Sequence, residues 1–143
     1  MTSEYHQGEF VISTDPSRLD INRIHRFLSE ESYWAVGRPL ETVQQSIQNS
    51  LCFGVYNYNK QAGFARVVTD YYTFGWLCDV FILPEYRGKG LAKWLVKTIV
   101  DYHEFKQLRR FLLATKNARS LYQKYGEFIP LKNPERWMER SPS

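Results

Sequence analysis

The stretch VFILPEYRGKGLA, residues 80–92, joins three kinds of structure in thirteen positions. Its first residues are apolar and β-branched or aromatic, which indicates a buried strand, and Pro84 ends that strand. A basic turn with two glycines follows, and from Leu91 onward apolar residues recur at helical spacing. Such a strand–loop–helix leaves backbone N–H groups unpaired where the helix begins, and the helix dipole favours negative charge there. The sequence therefore predicts a site for a phosphate or pyrophosphate at this loop.

Two other phosphate-binding motifs do not fit the spacing of the glycines. A P-loop has four residues between two glycines and then Lys-Ser/Thr, which this loop lacks. A dinucleotide-binding fingerprint has G-x-G-x-x-G at the start of a βαβ unit, and neither is found here. The remaining alternative is an ordinary solvated turn. The strand before the loop and the long helix after it argue against that alternative.

The composition predicts one domain that spans residues 1–143. The chain is 43% hydrophobic and 16% aromatic, and a chain of this size buries about two-thirds of its unfolded surface. No apolar run approaches the roughly 18 residues that span a bilayer, and the polar residues 1–8 do not resemble a signal peptide. We therefore expect a cytoplasmic protein without membrane contact. Cys52 and Cys78 lie in predicted strands and are expected to be buried thiols.

The charge distribution points to an anionic ligand. The net charge is +4, and the basic residues cluster at the loop and after the helix that follows it. The two groups are Arg87, Lys89, Lys93 and Lys97, then Arg109, Arg110, Lys116 and Arg119. No helix-turn-helix, zinc-finger or RNA-recognition pattern accompanies the charge, so we expect neither a nucleic acid nor a metal as ligand.

Periodicity along the chain predicts a mixed α/β fold. Strands are predicted at residues 9–13, 51–57, 62–69, 74–83 and 110–114, with closing strands at 128–131 and 137–139. Helices are predicted at residues 15–31, 40–49, 91–102 and 118–125, the first of them capped by Asp15. The order is β-α-α-β-β-β-α-β-α-β, with one further strand left open. Hairpin connections favour a mostly antiparallel central sheet flanked by helices.

Two segments resemble the GCN5-related N-acetyltransferase (GNAT) family. The first is residues 79–95, which contain Arg87-x-x-Gly90-x-Ala92. The second is Ala118-x-x-Leu121-Tyr122-x-x-x-Gly126, which is similar to the family's A-x-x-L-Y-x-x-x-G-F. The resemblance covers about residues 9–131, and the order of elements is also that of the family. It implies direct transfer of an acetyl group from acetyl-CoA to a primary amine of a small molecule or peptide. A non-catalytic acyl-CoA-binding sensor or interaction module of the same fold is the alternative.

The resemblance also assigns residues to the cofactor and to catalysis. Backbone groups of Val80, Phe81 and Ile82 would bind the pantetheine arm. Residues of the loop and the first helical turn would bind the pyrophosphate, namely Arg87, Gly88, Lys89, Gly90, Leu91, Ala92 and Lys93. Tyr122 would be the general acid, because a phenol with a pKa near 10 is protonated at neutral pH and can donate to a thiolate.

Three positions depart from the family pattern. Glu127 separates the glycine of the second motif from Phe128. Thr115 occupies the position where the family often has a pantetheine-binding asparagine, while Asn117 lies two residues further on; which of them faces the cofactor is open. Cys78 occupies the position where some relatives have a catalytic glutamate. Asp79 beside it is the candidate base, or else it caps a turn or pairs with a basic residue.

The resemblance implies that two segments line the acceptor pocket. They are the segment between the first two helices and the hairpin before the loop strand. The candidate residues there are Tyr33, Trp34, Arg38, Asp70, Tyr72 and Phe74. Aromatic rings beside carboxylates suit a cationic amine, whereas Arg38 suits a substrate carboxylate, and the sequence does not choose between them. Exposed aromatic residues near the termini, such as Trp137, leave homodimer formation open.

Overall fold

The computed structural model describes residues 1–141 and contains one six-stranded sheet with strands in sequence order. The strands are β1 Glu4–Gln7, β2 Phe10–Ser13, β3 Leu51–Asn57, β4 Lys60–Thr69, β5 Phe74–Ile82 and β6 Arg110–Leu112. The α-helices are α1 Ile21–Arg26, α2 Leu40–Gln48, α3 Leu91–Val100 and α4 Arg119–Gly126. Neighbouring strands are antiparallel except β5 and β6, which are parallel. The predicted mixed, mostly antiparallel fold is confirmed.

The sheet separates two hydrophobic clusters, one under each pair of helices. Leu95 and Ile99 of α3 and Tyr122 of α4 belong to the cluster on one face. Ile24 of α1 and Val43 of α2 belong to the cluster on the other face. Apolar residues on α3 recur three and four apart, so one side of this helix packs on the sheet while its lysines stay in water. This packing fixes the start of α3 against the end of β5.

The strands β5 and β6 pair over a short length and then diverge. Their paired positions are Phe74 with Arg110, Gly75 with Phe111, and Trp76 with Leu112. From Leu77 onward, β5 has no neighbouring strand on that side within residues 1–141. We call the space between β5 after Trp76 and the chain after β6 the fork. Backbone donors and acceptors that face the fork are available to a ligand.

A β-bulge lies in β5 beside the fork. Phe64 pairs with Phe81 and Arg66 pairs with Cys78, so Asp79 and Val80 together oppose Ala65. Asp79 has a φ of +52°, a left-handed conformation that is uncommon for residues other than glycine. A bulge of this kind redirects side chains that regular alternation would send to opposite faces. Strand periodicity therefore cannot predict where Asp79 points.

The first predicted strand has an additional partner strand, and the first predicted helix is divided into three parts. The strand at residues 9–13 is the second arm of a hairpin whose first arm is β1. The helix at residues 15–31 consists of a 3-10 turn Pro16–Arg18, α1, and a wider turn Phe27–Glu31. The chain breaks before α1 because Asp20 is a second N-cap, whose carboxylate accepts a hydrogen bond from the Arg23 N–H (3.1 Å).

The closing strands predicted at residues 128–131 and 137–139 are wrong. The described part of this segment contains a 3-10 turn Pro134–Arg136 and no strand. Pro130 and Pro134 lack the N–H that a sheet ladder needs, and Asn133 has a φ of +53°, which turns the chain away from β6. The prediction of strands rested on the apolar residues of this segment and did not take Pro130, Pro134 and Asn133 into account.

The residue inserted after Gly126 adopts the conformation that usually favours glycine. Glu127 is exposed with a φ of +57°, and the Phe128 N–H donates to the Tyr122 carbonyl (3.2 Å). The Phe128 ring still packs against Tyr122 and Phe111, with centroids 6.1 and 5.6 Å away. The extra residue is therefore accommodated at the end of α4, and the Phe128 ring keeps its packing.

We expect Glu127→Gly to raise the free energy of unfolding by about 1 kcal/mol, because glycine adopts a left-handed conformation without steric cost. Urea denaturation measures this. Gly126→Ala should have the opposite sign, since a Cβ there would lie 2.8 Å from the Phe128 ring and 3.0 Å from Val96. An unchanged midpoint for Glu127→Gly would mean that the glutamate makes contacts that offset the strain.

Candidate active site at the fork

The loop between β5 and α3 presents a row of backbone donors. The amides of residues 88–93 donate no hydrogen bond within residues 1–141, and the first bond of the helix runs from Trp94 N–H to the Gly90 carbonyl (3.2 Å). Gly88 and Gly90 have φ values of +81° and +78°, and a Cβ on either would meet no protein atom within 4 Å. The space beside the loop is open, and its donors and helix dipole suit an anion.

The basic side chains of the loop divide into anchoring and solvent-facing residues. Arg87 donates from Nε to the Ile82 carbonyl (3.0 Å), which ties the loop to the end of β5. Lys89 and Lys93 are exposed. Arg87 thus helps to hold the loop in place, and the two lysines lie where they can contact a phosphate from outside.

A cavity of about 550 Å³ occupies the fork. One wall is β5 from Trp76 to Val80, and the other is the chain at residues 113–118 together with Tyr122. Tyr33, Trp34 and Arg38, from the segment between α1 and α2, complete the lining. The fold thus gathers at one place the predicted catalytic residues, the end of the cofactor strand and three of the six predicted acceptor residues.

A second, larger cavity lies on the other side of β6. Its volume is about 980 Å³, and it is bounded mainly by β6 and residues 126–139. It does not contact Asp79, and residues 87–93 line neither cavity. The residues that line both are Trp76, Leu113, Ala114, Thr115 and Tyr122. The smaller cavity is the better candidate site because it adjoins the diverging strands and the bulge.

Asp79 forms a buried ionic cluster at the base of the fork. Its side chain is 2% exposed. Its Oδ1 accepts a hydrogen bond from Trp34 Nε1, and its Oδ2 accepts from Arg38 Nη1 and Arg66 Nε, all at 2.9 Å. We call these four residues the Asp79 cluster. Burial alone would raise the pKa of Asp79, but the Arg66 charge, the Trp34 hydrogen bond and the Arg38 charge lower it overall. A carboxylate held in this way is a poor proton acceptor, and its geometry favours pairing over general base catalysis.

We expect Asp79→Asn to lower the free energy of unfolding by about 2–4 kcal/mol, because it leaves two guanidiniums without their shared counter-ion. The lowered pKa means that the carboxylate stabilises the fold above about pH 4 and loses this effect as the pH falls through the lowered pKa. Urea denaturation at several pH values measures both effects. Asp101→Asn is the matched control: its pair with Lys97 is 61% exposed on each side, so a change below about 0.5 kcal/mol is expected. Equal losses in the two variants would contradict this role of Asp79.

Tyr122 lies on α4 between the two cavities. It is 8% exposed. Burial, and to a smaller extent the nearby Tyr33, raises the pKa of Tyr122 to about 12. The phenol therefore carries its proton at every pH near neutrality. Tyr122 is part of the lining of the fork cavity.

The thiol in the cavity is not activated. Cys78 is half-buried in the lining, and burial raises its pKa to about 11. Cys52 lies one strand beyond Arg66 and is buried, which raises its pKa to about 12. Both thiols are protonated at neutral pH, so neither is suited to be a nucleophile.

The two candidate pantetheine ligands differ in their hydrogen bonding. Thr115 Oγ1 accepts a hydrogen bond from the Ala118 N–H (3.1 Å), which helps to start α4. Asn117 is exposed at the cavity. Phe81 and Ile82 have buried side chains, so only their backbone groups are available to the fork. Val80 lines the cavity directly.

The hairpin before β5 does not reach the cavity. The Asp70 carboxylate accepts hydrogen bonds within its own turn, from the Thr73 hydroxyl (2.6 Å) and from backbone N–H groups, and the Thr73 bond is the main reason that its pKa lies below the usual value. Tyr72 is 69% exposed, and Phe74 lines the larger cavity. The structure brings Tyr33, Trp34 and Arg38 to the fork, but not Asp70, Tyr72 or Phe74.

Arg66 and Trp76 are site residues that the sequence analysis missed. Both line the cavity, and Arg66 completes the Asp79 cluster. A signal for Arg66 was present, because a charged residue in the middle of an apolar strand indicates a buried partner. A further contact joins two lining residues: the Lys116 N–H donates to the Tyr33 hydroxyl (2.9 Å).

Two structural features are absent from residues 1–141. None of the helices in this range is long and apolar enough to cross a membrane. No group of three or more His, Cys, Asp or Glu side chains in the same range is arranged to hold a metal ion.

Comparison with known proteins identifies the family. The model of the acetyltransferase (GNAT) family matches residues 21–126. The Gibberella zeae protein FG08082, named as an acetyltransferase, is 30% identical over an alignment of 162 positions. This alignment covers 95% of this chain and 92% of that protein. A crystal structure of a GNAT-family protein from Xanthomonas campestris pv. campestris is 46% identical with a TM-score of 0.90, and covers 95% of each chain. The chain belongs to the GNAT family of acetyltransferases.

A more distant relative has been crystallised with the cosubstrate of the family. This Clostridium acetobutylicum protein, solved with acetyl-CoA, has a TM-score of 0.63 and 16% identity, over 99% of this chain and 96% of that one. At this identity the likeness concerns the fold alone. The resemblance noted in the sequence is confirmed, and so is the class of enzyme.

Proposed function

We propose that this protein transfers an acetyl group from acetyl-CoA directly to a primary amine of a small molecule or peptide. The observation that carries the proposal is the row of six amides at residues 88–93 that donate no hydrogen bond within residues 1–141. They follow the end of β5, whose Val80 lines the fork together with Tyr122. The open space at Gly88 and Gly90 fits a pyrophosphate close to the backbone. Acetyl-CoA supplies the acetyl group as an activated thioester and leaves as the thiol.

The residues of the chain then divide the work between binding and proton transfer. The amides of the loop bind the pyrophosphate, with Lys89 and Lys93 outside them. The β5 edge at Val80, Phe81 and Ile82 binds the pantetheine arm, and one of its N–H groups polarises the thioester carbonyl. Asn117 contacts the same arm in preference to Thr115, whose oxygen already accepts a hydrogen bond from the Ala118 N–H. Holding both reactants in the fork accounts for much of the acceleration, about 7–11 kcal/mol in favourable cases.

Tyr122 is the general acid in this proposal. The amine nitrogen forms the new amide bond as the carbon–sulfur bond breaks. The Tyr122 proton goes to the sulfur and the proton of the amine goes to water, and water then returns a proton to the Tyr122 phenolate. Asp79 is a positioning residue, because its cluster fixes the bulge that holds Val80 and the arginines in place. No other carboxylate lines the fork within residues 1–141.

Calorimetry with acetyl-CoA, joined to an assay for thiol release with an amine panel, tests the function. Binding in the micromolar range with thiol release and a mass-detected acetylated product supports the enzyme. Tight binding without release from any amine would instead support an acyl-CoA-binding sensor or interaction module. Absence of binding at millimolar acetyl-CoA would contradict both.

Three further expectations stay predictions from the sequence. They concern a single domain over residues 1–143, a cytoplasmic location, and the formation of a homodimer, which the sequence leaves open. Gel filtration with light scattering tests the last of them.

A further inference from the structure

We propose that the acceptor is a small primary amine that also carries a carboxylate, and that Arg38 and Arg66 bind this carboxylate. The proposal rests on the proposed function above and names the class of its second substrate. The sequence left a cationic amine and a carboxylate-bearing amine equally open. The charges in the fork favour the second.

The fork has more positive than negative charge. Its charged lining residues within the described chain are Arg38, Arg66, Lys116 and Asp79. The single carboxylate is 2% exposed and is shared by two guanidiniums that are only 22% and 14% exposed. The Asp79 cluster therefore keeps one positive charge in excess in a partly desolvated place. Such a charge is costly unless an anion accompanies it.

The two arginines also have guanidinium N–H donors that make no hydrogen bond within residues 1–141. Arg38 uses Nη1 for Asp79, and Arg66 uses Nε for Asp79 and Nη1 for the Ser50 hydroxyl (3.1 Å). Each guanidinium has five N–H donors in a planar array. Both arginines converge on the same oxygen, Oδ2 of Asp79, so their remaining donors are close together. Paired donors of this kind match the two oxygens of a carboxylate.

A polycationic acceptor does not fit these charges. A polyamine or an aminoglycoside would bring several positive groups to a cavity whose only carboxylate is already paired. The Tyr33 and Trp34 rings, 5.1 Å apart and edge to face, could contact one ammonium group. However, Lys116 Nζ already lies 5.4 Å from the centroid of Tyr33. An added cation would be repelled by Lys116 and by the excess arginine charge.

The same charges offer a source for the neutral amine that acetyl transfer needs. Nearby positive charge lowers the pKa of an ammonium group, because it disfavours the charged form. When the substrate carboxylate has neutralised the excess arginine charge, Lys116 remains as the positive charge that favours the neutral form of the bound amine. This reduces the demand for a dedicated general base, for which the fork provides no carboxylate besides Asp79 within the described lining.

The test uses matched acceptors that differ only in the anionic group. The panel is glycine, β-alanine and γ-aminobutyrate, each with its carboxamide, together with aminoalkylphosphonates of the same lengths and putrescine. Dissociation constants are measured by calorimetry on the CoA-saturated protein, and kcat/KM is measured by thiol release. We expect at least one carboxylate to bind about 10-fold or more tightly than its carboxamide and to have a kcat/KM about 10-fold or more higher. Putrescine should bind weakly and react slowly.

Arg38→Gln should raise the Kd and KM of the preferred carboxylate about 10-fold or more, with little effect on kcat or on the carboxamide. Arg38→Lys should restore part of the preference because it keeps the charge. Arg136→Gln is the matched control, since Arg136 is exposed and lies outside both cavities; it should leave all values unchanged. Thermal unfolding of each variant separates loss of binding from loss of the fold.

The outcomes separate this inference from the proposed function. Carboxylates that bind no better than their carboxamides, a preference for putrescine or for phosphonates, or no binding by any member of the panel would each overturn it. Selective carboxylate binding that Arg38→Gln abolishes, without any acetylated product, would support the inference and contradict catalysis. Acetylation that favours carboxamides would support catalysis and reject the inference.

Discussion

Gly90→Asp is expected to lower the affinity for acetyl-CoA about 100-fold or more, which corresponds to roughly 2.7 kcal/mol of binding free energy. Gly90 is the N-cap residue of α3 and has a φ of +78°. A carboxylate there would lie among the amides that are proposed to bind the pyrophosphate, so it would repel that group and compete for its donors. Isothermal titration calorimetry with acetyl-CoA and with plain CoA measures the loss.

Two substitutions separate charge from backbone strain. Gly90→Asn places a neutral side chain of the same size at the same site, and asparagine tolerates a left-handed conformation; it should retain clearly more affinity than the aspartate. Gly8→Asp puts an aspartate at another glycine with positive φ (+59°) and open surroundings, in the β1–β2 turn. It should leave affinity unchanged. Equal affinity of wild type and Gly90→Asp would remove the loop from the cofactor site.

Tyr122→Phe is expected to reduce kcat about 100-fold or more while acetyl-CoA binding stays within about 3-fold of wild type. The substitution keeps the ring, which packs against Phe128 with centroids 6.1 Å apart, and removes the proton that the thiolate would receive. Steady-state thiol release and calorimetry on the same preparations measure the two quantities. Tyr125→Phe, one turn later on α4, is the control and should leave kcat within about 2-fold.

The pKa of Tyr122 adds a pH test to this variant. Because burial raises that pKa to about 12, the phenol keeps its proton in the folded protein through neutral and mildly alkaline pH. The stability that the protonated phenol contributes is complete below its usual pKa near 10 and is lost only as the pH approaches 12. The wild-type rate should therefore rise with pH as the amine is deprotonated, without a fall below about pH 11. An unaltered kcat in Tyr122→Phe would exclude the phenol from proton transfer.

The sequence predicted the loop and the sheet well because their signals are local. The strand at residues 51–57 and the start of the helix at Leu91 agree with the observed bounds, since alternation, helical spacing and turn residues all lie within a few positions of one another. The position of Tyr122 beside the fork followed from a motif, which links distant parts of the fold through family resemblance.

The details of the fork could not be predicted, because they depend on register and on long-range pairing. The bulge at Asp79 can be recognised only once the register of β4 and β5 is known, in which Ala65 lies opposite two residues of β5. The pairing of Asp79 with Arg38 joins residues 41 positions apart, and its pairing with Arg66 depends on the same bulge. The acceptor residues predicted on the hairpin at 70–73 do not line the cavity, and the reason is local: the Asp70 carboxylate accepts its hydrogen bonds within its own turn.

The divergence of β5 from β6 has a consequence for solubility as well as for binding. Unpaired strand edges are templates on which other chains can add strands and aggregate. Here the unpaired length of β5 lines a cavity of about 550 Å³, whose lining also includes Tyr33 and Lys116, joined by a hydrogen bond. A slender ligand with amide groups can pair with such an edge, whereas a second sheet cannot approach it. The unpaired edge of β5 is thus available to a ligand in the cavity, whereas strands of other molecules cannot add to it.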